Sequence, residues 1–303
     1  MKKKMLFVYN PRSGKGQIRG KLADILDVFV KGGCEVIVHP TQGPGDAYRV
    51  VQEYRDQVDL VVCCGGDGTL DEAAAGIMKQ EPRLPLGYIP AGSTNDFAGS
   101  LGLSKNMVEA AREIMQGQYF ACDMGNFNGR TFVYIAAFGL FTDVSYETDQ
   151  GLKNALGHFA YLLEAGKRLF NVPTYRLKIT SDERCLEGDF IYGMITNARS
   201  VGGIKNITGN RIELNDGLFE VTLVHPPKNP LELNEIILSL LSPNDNKSKL
   251  IKDFRTNRIE IQAAEEIAWT LDGEAGGTHK NVRISIQKEA LNLLVNPEKT
   301  RQK

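Results

Sequence analysis

Val61-Val62-Cys63-Cys64-Gly65-Gly66-Asp67-Gly68-Thr69-Leu70 is the stretch that decides the fold. Its apolar half reads as a buried strand, which empties into three glycines bracketing a single aspartate before a helical pattern starts near Thr69. Glycine lets backbone N–H groups come close to anionic oxygens, a helix start adds positive dipole, and a carboxylate there can organise a metal ion. The stretch is therefore read as a phosphate-holding turn in a nucleotide-using enzyme. Asp-Gly pairs also form ordinary turns, but three glycines, an acid and a hydroxyl exceed what a turn requires. Better-known phosphate motifs fail on spacing. Tyr9 stands where a P-loop needs its first glycine before Gly14-Lys15, Asp71 occupies the last glycine position of G-x-G-x-x-G, and H-R-D and D-F-G are absent.

Working outward, the first ~120 residues alternate strand and helix patterns, the signature of a parallel α/β layer. Strands are predicted at 5–9, 34–38, 60–64 and 84–89. Leu22, Ile25, Leu26, Phe29 and Val30 recur at helical spacing before Gly32-Gly33, a second helix follows Asp46 as N-cap, and a later one is capped by Ser104. Loops 10–16, 41–46 and 90–98 follow strand ends as 65–69 does, and open α/β sheets bind ligands at those ends. Read alone, Asn10-Pro11-Arg12-Ser13-Gly14-Lys15-Gly16 also serves as a plain β–α loop.

Beyond about Gly125 the texture becomes β-rich, with strands predicted at 131–137, 175–180, 190–197, 218–224, 258–262, 267–271, 282–286 and 291–295. The expected fold is an α/β N-terminal nucleotide-binding domain with a parallel sheet over 1–125, to which 290–303 returns, plus a β-rich second domain like an antiparallel β-sandwich over 126–289. Helical intervals are predicted at 155–170 and 232–241. The first of these either lies at a lipid interface or packs over the β-rich domain. Trp269 is expected in the core.

Composition bounds the rest. With 303 residues, 42% hydrophobic and a net charge of -1, the chain can bury a sizeable core, and nothing global points to nucleic acid. Five cysteines, odd in number and without C-x-x-C spacing, argue against disulfides and zinc, and no histidine pair has metal-ligand spacing. The longest apolar run, 132–141, falls short of the ~20 residues of a membrane span. A cytoplasmic protein with peripheral membrane contact is expected.

Pro90-Ala91-Gly92-Ser93-Thr94-Asn95-Asp96-Phe97-Ala98, with 65–69 and 10–15, resembles the diacylglycerol kinase catalytic domain family, which includes sphingosine and ceramide kinases and bacterial lipid kinases. Asp123-x-Gly125, Asn215-Asp216-Gly217-Leu218 and Leu271-Asp272-Gly273-Glu274 follow in the family's order, so the resemblance covers almost the whole chain.

The resemblance implies an ATP- and Mg²⁺-dependent kinase acting on a diacylglycerol-like lipid at the inner face of the membrane. Asp67 would act through water on the Mg²⁺ carried by ATP. Gly66, Asp67, Gly68, Thr69, Leu70, Asp71 and Glu72, with Thr41 and Thr94, would line the nucleotide site, and Asn10, Pro11, Arg12, Ser13 and Gly14 would hold phosphates. Lys15, Asp96 and Asp123 would tie these loops together. Glu274 would be the base that takes the lipid hydroxyl's proton, its pKa raised by partial burial, with Asp272 its nearest competitor. Read without the other motifs, Glu274 is an exposed hairpin acid. A second, structural Mg²⁺ is implied at the Asp216 carboxylate and the backbone carbonyls of Glu213 and Leu218; otherwise Asp216 is a turn residue. ATP would lie in a crevice between the domains, and a homodimer is the default assembly. The competing functions are a kinase for a sphingoid base or phosphatidylglycerol, an NAD kinase, and a non-catalytic nucleotide or lipid sensor.

Overall fold

The run at 61–64 forms a strand with every residue buried, as a parallel sheet covered on both faces requires. The computed structural model describes residues 2–139, 173–202, 204–205, 212–241 and 248–296. The chain divides into two units, one made of residues up to Asp123 together with those from Lys288, the other of Met124–Gln287.

The first unit runs β1 (Lys3–Tyr9), α1 (Leu22–Lys31), β2 (Cys34–Pro40), α2 (Asp46–Glu53), β3 (Leu60–Gly65), α3 (Asp67–Met78), β4 (Leu86–Pro90), α4 (Asp96–Leu101), α5 (Met107–Gln116) and the first part of β5 (Gln118–Phe127). Strands β2, β1, β3 and β4 pair in that order, all parallel. The end of the last strand pairs with β4, Leu293 opposite Leu86, also parallel. Phe7, Ile25, Phe29, Val62, Ile89, Ile114 and Leu294 share one core cluster. Val30 belongs to the predicted apolar stripe of α1 but is exposed, because Ile25 and Phe29 fill the face that meets the sheet.

Two predicted caps shift. The cap of α5 is Asn106, whose side chain accepts from Val108 N at 3.1 Å and Glu109 N at 3.2 Å, while Ser104 Oγ only accepts from Asn106 N. Asp46 lies inside the first turn of α2, and the cap position is Gly45 at φ 79°, a left-handed conformation that suits glycine.

The second unit holds the rest of β5, then β6 (Arg130–Phe132), β7 (Ile135–Gly139), β8 (Tyr175–Ser181), β9 (Cys185–Phe190), β10 (Tyr192–Thr196), β11 (Ser200–Val201), β12 (Ile204–Lys205), β13 (Phe219–Val224), α6 (Pro230–Leu241), β14 (Ile251–Thr256), β15 (Arg258–Leu271) and most of β16 (Glu274–Val295). The pairing β14-β13-β10-β7-β15-β16 is antiparallel throughout, with β8 and β9 added beside β15. Trp269 is buried between Phe127 and Phe138, with ring centroids 5.1 and 4.9 Å away.

The strand predicted at 131–137 is two strands, because the amides of Val133 and Tyr134 go to a carboxylate instead of a ladder. The predicted pairs 258–262 with 267–271, and 282–286 with 291–295, are each one long strand; a register shift between Gln262 and Ile267 bends β15 without ending it. The helix expected at 155–170 lies outside the described residues. All five cysteines are free thiols, and burial pushes those of Cys63, Cys64 and Cys122 up. Among the described residues, no helix is long and apolar enough to cross a membrane.

Candidate functional site

In the first unit the loops that leave β1, β2, β3 and β4 start at one edge of the sheet. Asn10 N donates to Cys64 O at 2.8 Å, Thr41 N to Tyr9 O at 2.9 Å and Ala91 N to Gly65 O at 2.8 Å, each continuing the pairing just past a strand end. The loops then touch backbone to backbone. A Cβ on Gly92 would fall 2.6 Å from Gly66 Cα; within the turn after β3, one on Gly65 would fall 2.4 Å from the Thr69 side chain at Oγ1. Gly14, Lys15 and Gly16 are successively left-handed, with φ of 54°, 64° and 71°. That turn presses Gly14 against Ala91 so closely that no side chain fits.

Polar contacts lock the arrangement. Ser13 Oγ accepts from Gly66 N at 3.3 Å, and Asp67 Oδ2 accepts from Asp96 N at 3.2 Å. Asn95, itself left-handed, clasps Gly92 both ways: its Oδ1 accepts from Gly92 N at 2.9 Å and its Nδ2 donates to Gly92 O at 2.6 Å. The Tyr88 hydroxyl lies 3.2 Å from Gly65 O and 3.3 Å from Asn95 Oδ1; burial, then the nearby Asp67 charge, pushes its pKa well up, so it stays a donor. The Asp67 carboxylate therefore sits in the first turn of α3, among glycine backbones packed too tightly for side chains. Helix starts of this kind receive phosphate.

Not every residue expected to line this region presents its side chain there. Leu70 is fully buried in the core and Asp71 is buried. The Glu72 carboxylate accepts from Gly45 N at 2.6 Å and Ala47 N at 3.1 Å, which commits it to the start of α2. Thr69 is buried under Gly65, while Thr41 and Pro11 are partly exposed and Arg12 and Thr94 are exposed. Lys15 is exposed and makes no ion pair among the described residues. Asp96 is buried beside Asp67, and Asp123 accepts from Glu289 N at 2.6 Å, joining β5 to β16.

One group at this edge went unread as more than a cap. Asp46 accepts from Gln42 N at 2.8 Å, lies 3.0 Å from His39 Nε2 and pairs with Arg49 Nη2 at 2.6 Å. The His39 hydrogen bond, with the Gln42 amide and Arg49, holds its carboxyl down to about 2 despite burial. The loop at Thr41 is fixed by this cluster. The signal available beforehand was the spacing His39, Asp46, Arg49 around a glycine-rich loop.

In the second unit the two acids of the Asp272-Gly273-Glu274 hairpin part company. Asp272 (φ 51°) and Gly273 (φ 86°) make the two-residue turn between β15 and β16. The Asp272 carboxylate is buried and accepts from Val133 N at 2.5 Å, Tyr134 N at 2.8 Å and Ile135 N at 2.9 Å. Its lone pairs are committed to the fold, so it is not a competing base. Glu274, two residues on, is exposed rather than partly buried. A Cβ on Gly276 would lie 3.0 Å from Trp269 O, so that glycine serves the packing of the hairpin.

The donor set expected to hold a second Mg²⁺ does not fit one. Asp216 Oδ1 accepts from Leu218 N at 3.0 Å, and Oδ2 is paired with Arg255 Nη2. Arg255 Nε also donates to Glu220 Oε1 at 3.1 Å. Burial pushes the Glu220 carboxyl up to about 7, although Arg255 pulls the other way. Glu213 is exposed. One Asp216 oxygen thus accepts a backbone amide, and the other is paired with a cation that repels a metal ion.

Residues 4–127 match the diacylglycerol kinase catalytic domain model, and residues 136–295 match the YegS C-terminal NAD kinase beta sandwich-like domain. A diacylglycerol kinase of Bacillus subtilis (strain 168) is 31% identical over 277 residues, covering 91% of each chain. The chain belongs to the diacylglycerol kinase family. That diacylglycerol kinase family relationship extends to a Staphylococcus aureus (strain bovine RF122 / ET3-1) diacylglycerol kinase, 31% identical over 303 residues and covering 98% of this chain and 96% of the relative. A solved chain from Bacillus anthracis str. Sterne matches with a TM-score of 0.84 at 26% identity over 98% of each chain. Membership of the diacylglycerol kinase family makes this chain an ATP-dependent lipid kinase, with a parallel α/β part followed by a β-rich part.

Proposed function

We propose that this lipid kinase transfers the γ-phosphoryl group of MgATP to the free hydroxyl of a diacylglycerol, giving phosphatidic acid. The observation that carries the reading is the packing of the loops after β1, β3 and β4 against one another around Asp67, through Gly14, Gly66 and Gly92. Phosphoryl transfer is accelerated mainly by positioning and by neutralising charge, and backbone amides held in rigid loops do the first without reorganising. The named activity of the relatives supports diacylglycerol as the acceptor.

In this reading the glycine turn Gly66 to Gly68 and the loop Asn10 to Gly14 form the phosphate cradle, and Asp67 would hold the nucleotide's Mg²⁺ through water. When bound, that ion would supply neutralisation of the phosphate charge. Glu274 accepts the proton of the lipid hydroxyl as the new O–P bond forms, the bond to the β–γ bridging oxygen breaks, and ADP departs. Its exposure leaves the carboxylate accessible to an acceptor, and Asp272 fixes the turn that carries it. The acceptor lives in a bilayer, so the enzyme meets it by peripheral contact at the membrane surface, from the cytoplasmic side.

The test is transfer from radiolabelled ATP with Mg²⁺ to diacylglycerol, sphingosine, phosphatidylglycerol and NAD, the lipids in mixed micelles, with Glu274→Gln as control. Labelled phosphatidic acid, lost in the variant, is the expected result. Labelling of another acceptor instead would replace diacylglycerol. ATP binding without any labelled product would favour a sensor.

A further inference from the structure

Asp216 ends the turn that leads into β13, and Glu220 follows on β13 itself. Arg255 sits on β14 directly opposite Glu220 in the antiparallel register. From there its side chain runs past Glu220, giving one hydrogen bond to Glu220 Oε1 from Nε and an ion pair to Asp216 from Nη2. Glu220 is 7% exposed, and the Asp216 side chain 18%. Two acids this near each other, one of them buried, are stabilised by the positive charge that Arg255 sets between them, an attraction partly screened because the Arg255 side chain is 43% exposed. A guanidinium meets that need with a fixed fork of donors and a weaker hydration shell than an ammonium.

A magnesium ion would meet it differently, with an octahedron of oxygens that includes retained waters. At this turn Asp216 Oδ1 already accepts from Leu218 N, and Oδ2 is paired with Arg255, a cation that repels a metal ion approaching the carboxylate. We infer that Arg255 replaces the structural divalent cation in this chain, so that the β13–β14 region is held by the Arg255 guanidinium and folds independently of Mg²⁺. The sequence carries the device openly as Asp216, Glu220 and Arg255, but only the strand register brings them together. The inference does not depend on which acceptor the kinase uses.

Thermal unfolding of the full chain without nucleotide tests it, each protein melted in EDTA and in saturating MgCl₂. Any binding at the nucleotide loops contributes equally to all variants, so the differences between variants report the Asp216 site. The wild type and Asp216→Asn are expected to show the same Mg²⁺-induced change in midpoint. Arg255→Met keeps the aliphatic stem but removes the charge; it is expected to melt lower in EDTA and to gain a Mg²⁺-induced rise on the order of 3 °C beyond that of the wild type. A Mg²⁺ response in the wild type that disappears in Asp216→Asn would overturn the inference, as would Arg255→Met that folds and gains no response. If Arg255→Met does not fold, the comparison of wild type with Asp216→Asn decides the question alone.

Discussion

A Cβ added to Gly14 would stand 2.0 Å from the carbonyl oxygen of Ala91. The loops after β1 and β4 thus meet with no room for a methyl group, at a residue whose φ of 54° already disfavours one. Gly14→Ala is expected to cost about 1–3 kcal/mol of stability and to raise the KM for ATP. Gly43→Ala makes the control: nothing lies within 4 Å of its Cβ, and it should stay within about 0.5 kcal/mol of wild type. Denaturant titration and ATP kinetics check both, and an unchanged KM in Gly14→Ala would count against these loops as the nucleotide cradle.

Glu274 and Asp67 are predicted to fail in different ways. Glu274→Gln removes the proton acceptor from an exposed position, so kcat should fall by about 10²–10⁴ while ATP binding and melting temperature hold. Asp67→Ala should abolish turnover and weaken the dependence of nucleotide binding on Mg²⁺. Titration of a fluorescent ATP analogue with and without the metal separates the two roles.

Asp272 should behave as a structural residue even though it is two positions from the proposed base. Asp272→Ala strands three buried amides, at Val133, Tyr134 and Ile135, and is expected to cost on the order of 3 kcal/mol or more. Asp272→Asn keeps one carbonyl acceptor and should recover part of that loss. Melting curves for both variants, set beside Glu274→Gln, would show a large loss for the first and none for the last.

Asp46 predicts an acid sensitivity of definite sign. Its carboxyl titrates near 3.8 when unperturbed and at about 2 in the fold, held down first by the His39 hydrogen bond. Its stabilising contribution is therefore complete above about pH 4 and is lost as pH falls toward 2, where the unfolded chain takes up the proton first. The expected size is about 1–2 kcal/mol, discounted because Arg49 is exposed. Denaturation midpoints measured across that window should fall more steeply for wild type than for Asp46→Asn.

The strands of the first unit were legible because hydrophobicity and punctuation agree there: β3 is apolar up to its closing glycine, and α1 ends at Gly32. Their loops were legible too, since Gly14 and Gly92 are required by backbone approach and so had to appear as glycine. Contacts that join distant positions were not. Asp272 binds Tyr134 across 138 positions, and nothing local distinguishes its buried carboxylate from the exposed one at Glu274. Arg255 looks like any strand cation until the register sets it opposite Glu220. Ser104 and Asn106 are both competent caps, and the choice depends on where the chain enters α5.

Strand β4 has two neighbours, β3 from early in the chain and the end of β16, which carries Leu293 opposite Leu86. During translation, β1 to β4 leave the ribosome long before residues 288–295 exist. For that whole interval β4 is an open edge, with unpaired backbone groups able to recruit a strand from another nascent chain. The parallel α/β unit is thus made first and finished last, and a ribosome that stalls within the β-rich unit leaves it unsealed. Yield from cells should therefore fall steeply on losing residues 288–295, and a holdase chaperone should restore more of it than lowering the temperature does.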